Sequence, residues 1–301
     1  MNENTAGKMH DMTAGSPVKL ILHFMVPVFL GNVFQQFYNV ADSIIAGQFL
    51  GVRALAAIGS TGSLMFFVTG WLNGLASGFA ILVAQWFGAK EYERMRHYVA
   101  MSVYLSIGFA VLMTVGLGAA NVPILRLMNY SDEIMPDVKA YMGIIYAGLI
   151  VTAAYNALAA FLRALGDSKS PLYFLIVSAA INVALDAAFI IYGGMGVEGC
   201  AYATVIAQGI SALLCFFYIV KKYPILHLKK ENFSFSLYAC GKLLALGIPM
   251  ALQFSITAIG CIILQAAVND LGATAIAAVS AANRISNFLA CPLYALGTTC
   301  A

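Results

Sequence analysis

Eight apolar runs divide the chain, at 18–46, 54–87, 98–120, 138–162, 172–192, 199–220, 243–268 and 274–300. Each is long enough to carry an α-helix across a hydrocarbon core of about 30 Å, which takes roughly 20 residues. The runs are separated by turn and charge signals: Gly51-Val52-Arg53, Gly88-Ala89-Lys90-Glu91, Asn121 to Pro136, Gly166 to Pro171, Gly193 to Gly196, and Lys221 to Asn232. A helix satisfies its own backbone polar groups in lipid, so the pattern predicts an all-α polytopic membrane protein with about eight transmembrane helices.

Composition agrees. Of 301 residues 61% are hydrophobic and 10% charged, against roughly 25% charged in an average soluble domain. Sixteen basic and 13 acidic residues could not coat the surface of a soluble chain this long. That balance also excludes a nucleic-acid binder, a secreted disulfide scaffold and a disordered chain. The first apolar run follows a polar head of about 17 residues and contains Asn and Gln, so no cleavable signal peptide is expected. With that head cytoplasmic, inside segments hold 12 basic residues and outside segments three, Arg53, Arg126 and Lys139. By the positive-inside rule this sets the amino terminus in the cytoplasm. Six cysteines, at 200, 215, 240, 261, 291 and 300, form no CxxC motif and read as small core residues rather than metal or redox ligands.

The segment LGVRALAAIGS from Leu50 recurs as LGATAIAAVSA from Leu271, with 5 of 11 positions identical, and Pro27 matches Pro249. The spacing, 221 or 222 residues, predicts a six-helix lobe over 1–221, a cytoplasmic connector over 222–242, and the first two helices of a second lobe over 243–301. Chance likeness between Ala-rich helices is the alternative. Two parallel bundles facing across a cavity is a recurrent transporter plan, and under it four more helices would complete the second lobe. The chain therefore reads as truncated, or as a fragment.

Ionisable groups at membrane depth are costly and usually functional. Asp42 and Asp186 are the only acids well inside apolar runs. Asn32, Gln35, Gln36, Asn39 and Asp42 follow helical spacing on one face of the first helix, with Tyr38 a turn below Asp42. The fifth run repeats the pattern with Ser178, Asn182 and Asp186, the sixth with Thr204, Gln208 and Ser211, and the fourth with Thr152, Tyr155 and Asn156. At about 1.5 Å per residue, Asp186 and Thr204 both lie roughly 8 to 11 Å from the outer helix ends. Carboxylates, an amide carbonyl and a hydroxyl in one layer suit a small alkali cation, or protons on the same acids. A hydrogen-bond network that only holds helices together is the alternative. Against it, the repeat carries Asn32, Gln36, Asn39 and Asp42 onto Phe254, Ala258, Cys261 and Leu264, so the polar face belongs to one unit alone. Pro27 and Pro249 favour bends, either a gating hinge or a static kink. Gly59, Gly62, Gly70, Gly74 and Gly78 suit close helix packing.

The first helix continuing to FYNVADSIIAGQFLG, then AQWFGAKE, AFLRALGDSKSP and SAAINVALDAAFIIYGGMGVEGCAYATVIAQ, resemble the multidrug and toxic compound extrusion (MATE) transporters, in their DNA-damage-inducible protein F-like branch. The resemblance implies twelve helices in two lobes and export of amphipathic, often cationic, small molecules in exchange for Na+ or H+. It implies a multi-pass protein of the bacterial plasma or inner membrane, with no cofactor beyond the coupling ion, no nucleic-acid partner, and an oligomeric state left open. It places a cation site on Asp42, Asn182, Asp186 and Thr204, with Tyr38 nearby, substrate-cavity positions at Gln35, Asn39 and Asn156, and a hinge at Pro27. Some relatives carry an acid in the seventh helix where this chain has Thr257, so a cation site in the second lobe is not expected. The rivals are a lipid-linked oligosaccharide flippase of the same superfamily, a truncated non-transporting remnant, and an intramembrane aspartic protease. The flippase would line its cavity with cations, whereas only Arg284 stands deep in a predicted helix. The protease would carry Tyr-Asp and Gly-x-Gly-Asp signatures, whereas Asp42 follows Ala41 and Asp186 follows Leu185.

Overall fold

A computed structural model of the chain describes residues 16–128, 130, 134–269 and 273–300. Nine α-helices and no strand occur among the described residues: α1 (Pro17–Ser60), α2 (Gly62–Gly88), α3 (Tyr92–Leu127), α4 (Met135–Ala147), α5 (Leu149–Ala164), α6 (Lys169–Ala187), α7 (Val197–Lys222), α8 (Leu237–Asn269) and α9 (Ala273–Cys300).

The eight expected runs map onto these helices with three corrections. First, no loop separates the first two runs: α1 carries straight through the expected break, and its backbone leaves helical geometry only at Gly51, φ 85° and ψ −177°. A side chain is strained in that conformation, so glycine is what lets the first span, Val18–Gly51, end and the second, Arg53–Gly88, begin. Second, the expected fourth helix is two: α4 and α5 meet at Gly148 with a bend of 49°. A Cβ on Gly148 would overlap the side chain of Val205 on α7, so the bend lets the backbone sit directly against that helix. Third, α9 is a helix of 28 residues, yet Asn283, Arg284 and Asn287 lower its hydropathy. Among the described residues, six helices are long and apolar enough to span a membrane, or seven counting the bent pair as one.

The charged residues cluster at helix ends while large apolar side chains such as Leu112, Val115, Leu213 and Phe217 point outward and are exposed. Such an apolar exterior is the reverse of a soluble globule's and suits contact with lipid.

The most extensive helix contact joins α2 to α8, and α1 packs along α9. Under the expected repeat, α1 corresponds to α8 and α2 to α9, which would make each of these contacts the counterpart of the other. The two seams differ in closeness. A Cβ on Gly74 would stand 2.5 Å from the Ala251 Cα, one on Gly78 2.5 Å from the Gly247 Cα, and one on Gly70 3.1 Å from the Phe254 Cβ. Gly74 and Gly78 therefore set backbone-to-backbone packing of α2 on α8, Gly70 makes room for the Phe254 side chain, and Gly59 and Gly62 have nothing within 4 Å and do not share that role.

The polar connector after α7 is docked rather than wholly solvated. Two 3-10 turns, Pro224–Leu226 and Lys230–Phe233, bury Leu226 and Asn232. Arg96 donates from Nε to the Ile225 carbonyl at 2.8 Å, which fixes the connector to the start of α3. The α5–α6 turn is held by Asp167, whose carboxylate accepts from the Ser170 amide at 3.0 Å, the Ser170 hydroxyl at 2.6 Å and the Tyr223 hydroxyl at 2.7 Å. The first of these bonds satisfies a free amide at the start of α6.

Candidate cation site

The polar faces expected on α1, α5, α6 and α7 separate into two groups. In the first, α6 and α7 run antiparallel and are joined by a short π-helical turn, Ala188–Tyr192, while α1 packs along α6. Asp186 stands two residues before this turn, Asn182 one helical turn earlier on the same face, and Thr204 opposite on α7. Asp42 enters from α1. Asp186 and Asn182 are fully buried, and Asp42 and Thr204 are each 7% exposed. One oxygen of Asp42, one of Asp186 and the Sγ of Cys200 all lie within 4.8 Å of one another.

Asn182 donates from Nδ2 to the Thr204 Oγ1 at 3.4 Å, which turns its carbonyl oxygen away from the hydroxyl. That oxygen, the Asp42 Oδ1 and both oxygens of Asp186 have no hydrogen-bond partner. Four buried acceptors without donors are unusual, because each costs about 1–3 kcal/mol when unsatisfied. The ion pairs among the described residues, Arg53–Asp137, Arg94–Glu91, Arg96–Glu93 and Lys229–Glu93, all lie at helix ends and leave both acids without a basic partner. The arrangement is an acceptor-only cluster of hard oxygens, whose chemistry fits a cation or protons.

In the second group Thr152, Gln208 and Ser211 find partners on neighbouring helices. Thr152 donates from Oγ1 to the Gln208 Oε1 at 2.5 Å, and Ser211 donates to the Phe174 carbonyl at 3.1 Å. These contacts tie α5 to α7 and α7 to α6, so for Thr152, Gln208 and Ser211 the reading as interhelical glue holds.

Gln35 and Asn156 are half-buried, and Gln35 lies two turns, roughly 10 Å, below Asp42 on the same face of α1. Tyr38 and Asn39 stand on α1, with side chains outside the described residues. Pro27 is buried within α1, where Gly51 is the non-helical position. Thr257 is exposed and donates to the Gln253 carbonyl of its own helix at 3.0 Å, with no acid beside it in the repeat-related place. Cys200 is fully buried in the apolar core, in keeping with its reading as a small core residue, and it also borders the acids. Its position one turn before Thr204 on α7 was the available signal, since residues four apart share a helix face.

The MatE family model matches residues 27–188, more than half of the chain. The chain belongs to the MATE family. Among its relatives, the probable multidrug resistance protein YpnP of Bacillus subtilis (strain 168) is 30% identical over 97% of this chain and 65% of its own length. The outward-facing conformation of a multidrug resistance MATE family transporter of the MOP superfamily superposes with a TM-score of 0.89 at 25% identity, over 97% of this chain and 65% of that one. The inward-facing conformation of such a transporter gives 0.79 at 25% identity, over 87% of this chain and 60% of that one. The chain thus spans just under two thirds of the length of these relatives. Membership puts it in a family of multi-pass membrane transporters, not of enzymes, which removes the protease reading of the aspartate pair.

Proposed function

We propose that this chain carries the coupling-cation site of an antiporter that exports amphipathic, often cationic, small molecules in exchange for Na+ or H+. The observation that carries the reading is the set of four partnerless acceptor oxygens on Asp42, Asn182 and Asp186, buried in one layer with Thr204. A cation or a pair of protons supplies what those oxygens lack, and its removal restores mutual repulsion of the acids. Because a ligand shifts an equilibrium only through differential affinity, the site must differ between conformations. Its position between α1 and α6–α7 suits this, since motion of α1 about Pro27 would separate Asp42 from Asp186. Under the same reading Gln35, Asn39 and Asn156 line the substrate cavity. The twelve basic residues on one side against three on the other support a cytoplasmic amino terminus in a cell membrane. Residues 1–221 then form the first lobe and 243–301 begin the second.

Thermal unfolding of the purified chain against NaCl, with KCl and choline chloride matching ionic strength, tests this. Binding to the folded state stabilises by about 2.7 kcal/mol at a hundredfold excess over Kd. For Na+ coupling the expected result is a sodium-specific rise that Asp186→Asn loses. For H+ coupling it is no sodium effect but a stability that rises as acid protonates the pair, again lost in Asp186→Asn. A variant that keeps both responses overturns the assignment.

A further inference from the structure

Cys200 changes what the aspartate pair can bind. A site made only of carboxylate, amide and hydroxyl oxygens suits hard ions, whereas a sulfur ligand selects for thiophilic ones such as zinc and cadmium. We propose that Asp42, Asp186 and Cys200 form a site for a thiophilic divalent cation, which overlaps and competes with the coupling-cation site. Three observations carry it. The Cys200 Sγ and one oxygen from each acid fall within 4.8 Å of one another, so small side-chain rotations would bring them to the spacing of about 3.3–3.8 Å that tetrahedral bonds of about 2.0–2.3 Å require. Asp186 and Cys200 are fully buried, and both oxygens of Asp186 lack a partner. The Asn182 carbonyl oxygen, also partnerless, stands one turn from Asp186 as a candidate fourth ligand.

The charges balance. A divalent ion with the Cys200 thiolate and one aspartate carboxylate is neutral as a unit. The thiol proton leaves to solvent on binding, and the second aspartate joins in its protonated form. Na+ with one carboxylate and one protonated aspartate is neutral too, so the two ions can exchange in the same pocket without leaving net charge in the bilayer. The claim of competition rests on the coupling-cation reading; the divalent site itself does not.

The test is titration of the purified full chain with CdCl2, followed by the ultraviolet thiolate-to-cadmium charge-transfer absorption, in choline chloride and in NaCl. The wild type should show a saturable component that is lost in Cys200→Ser and in Asp186→Asn, kept in Cys261→Ser, where an exposed thiol is removed, and shifted to higher cadmium concentration by NaCl. Cys200→Ala provides a second variant if the serine form fails to fold. Sodium-dependent thermal stabilisation, measured on the same samples, should survive in Cys200→Ser. If the cadmium component is lost in both variants but the wild type shows no sodium response, the divalent site stands and sodium coupling fails. A component that persists without Cys200 or without the Asp186 carboxylate overturns the proposal, whatever the sodium response.

Discussion

Replacing Gly74 with alanine is the sharpest test of how α2 and α8 are held. The added Cβ would lie 2.5 Å from the Ala251 Cα, 2.7 Å from its amide nitrogen and 2.8 Å from the Met250 carbonyl oxygen. All three are backbone atoms, so no side-chain rotation relieves the overlap. Reaching an ordinary contact needs a retreat of α8 by about 1 Å, and forced overpacking of this kind costs about 1–3 kcal/mol. Alanine's better helix propensity returns about 1 kcal/mol at most. Gly62 on the same helix supplies the control, because its Cβ would meet nothing within 4 Å; Gly62→Ala should leave stability unchanged or raise it by up to about 1 kcal/mol. Gly78→Ala should resemble Gly74→Ala, and Gly70→Ala, which meets only the Phe254 side chain, should fall between. The assay is unfolding in detergent followed by circular dichroism, with all four variants under one condition. If Gly74→Ala and Gly62→Ala shift the midpoint in the same direction by the same amount, backbone contact at the seam is refuted.

Thr152→Val leaves the half-buried Gln208 oxygen without its donor and should cost about 0.5–1.5 kcal/mol, while leaving the sodium response of the chain intact; a lost response would move Thr152 and Gln208 into the cation site. Tyr223 lies beyond the last turn of α7, and burial, with the Asp167 carboxylate accepting its hydrogen bond, pushes its phenol above the ordinary value. The unfolded phenol ionises first, so this group's stabilising contribution is complete below about pH 10 and declines above it. Tyr223→Phe should therefore lower the unfolding midpoint at neutral pH yet flatten its alkaline decline, and an unchanged alkaline slope would argue against the Asp167 bond. Arg96→Ala should free the connector from α3, read as faster proteolysis between Lys221 and Ser236, and an unchanged cleavage rate would show the connector held by its buried Leu226 and Asn232 alone.

Most of the membrane architecture was legible along the chain because its causes are local. A run of apolar residues reports a span wherever it occurs, and a polar stripe every three or four residues marks the face of α1 that cannot look at lipid. Asp42, Asn182, Asp186 and Thr204 could be named for the same reason: each is a polar residue in an apolar run, at a depth that counting residues supplies. The turn at Gly51 was visible as a glycine two residues before an arginine. The bend at Gly148 was not, since a lone glycine in a helical pattern carries no sign of the Val205 side chain that waits on α7. Nor did composition within α9 keep pace with its length, because Asn283, Arg284 and Asn287 interrupt an otherwise apolar run.

What the amino-acid sequence alone determined is the helical class, the approximate spans and the candidate acids, all of which follow from hydropathy and periodicity within single helices. Only the tertiary structure decided which polar groups meet. It joined Thr152 to Gln208 and Ser211 to Phe174 as satisfied glue, and left the oxygens of Asp42, Asn182 and Asp186 without donors. It also brought Cys200 to the acids. Helical periodicity specifies a face but not the face opposite, and whether a buried oxygen is satisfied depends on the neighbour that packing brings within about 3 Å of it.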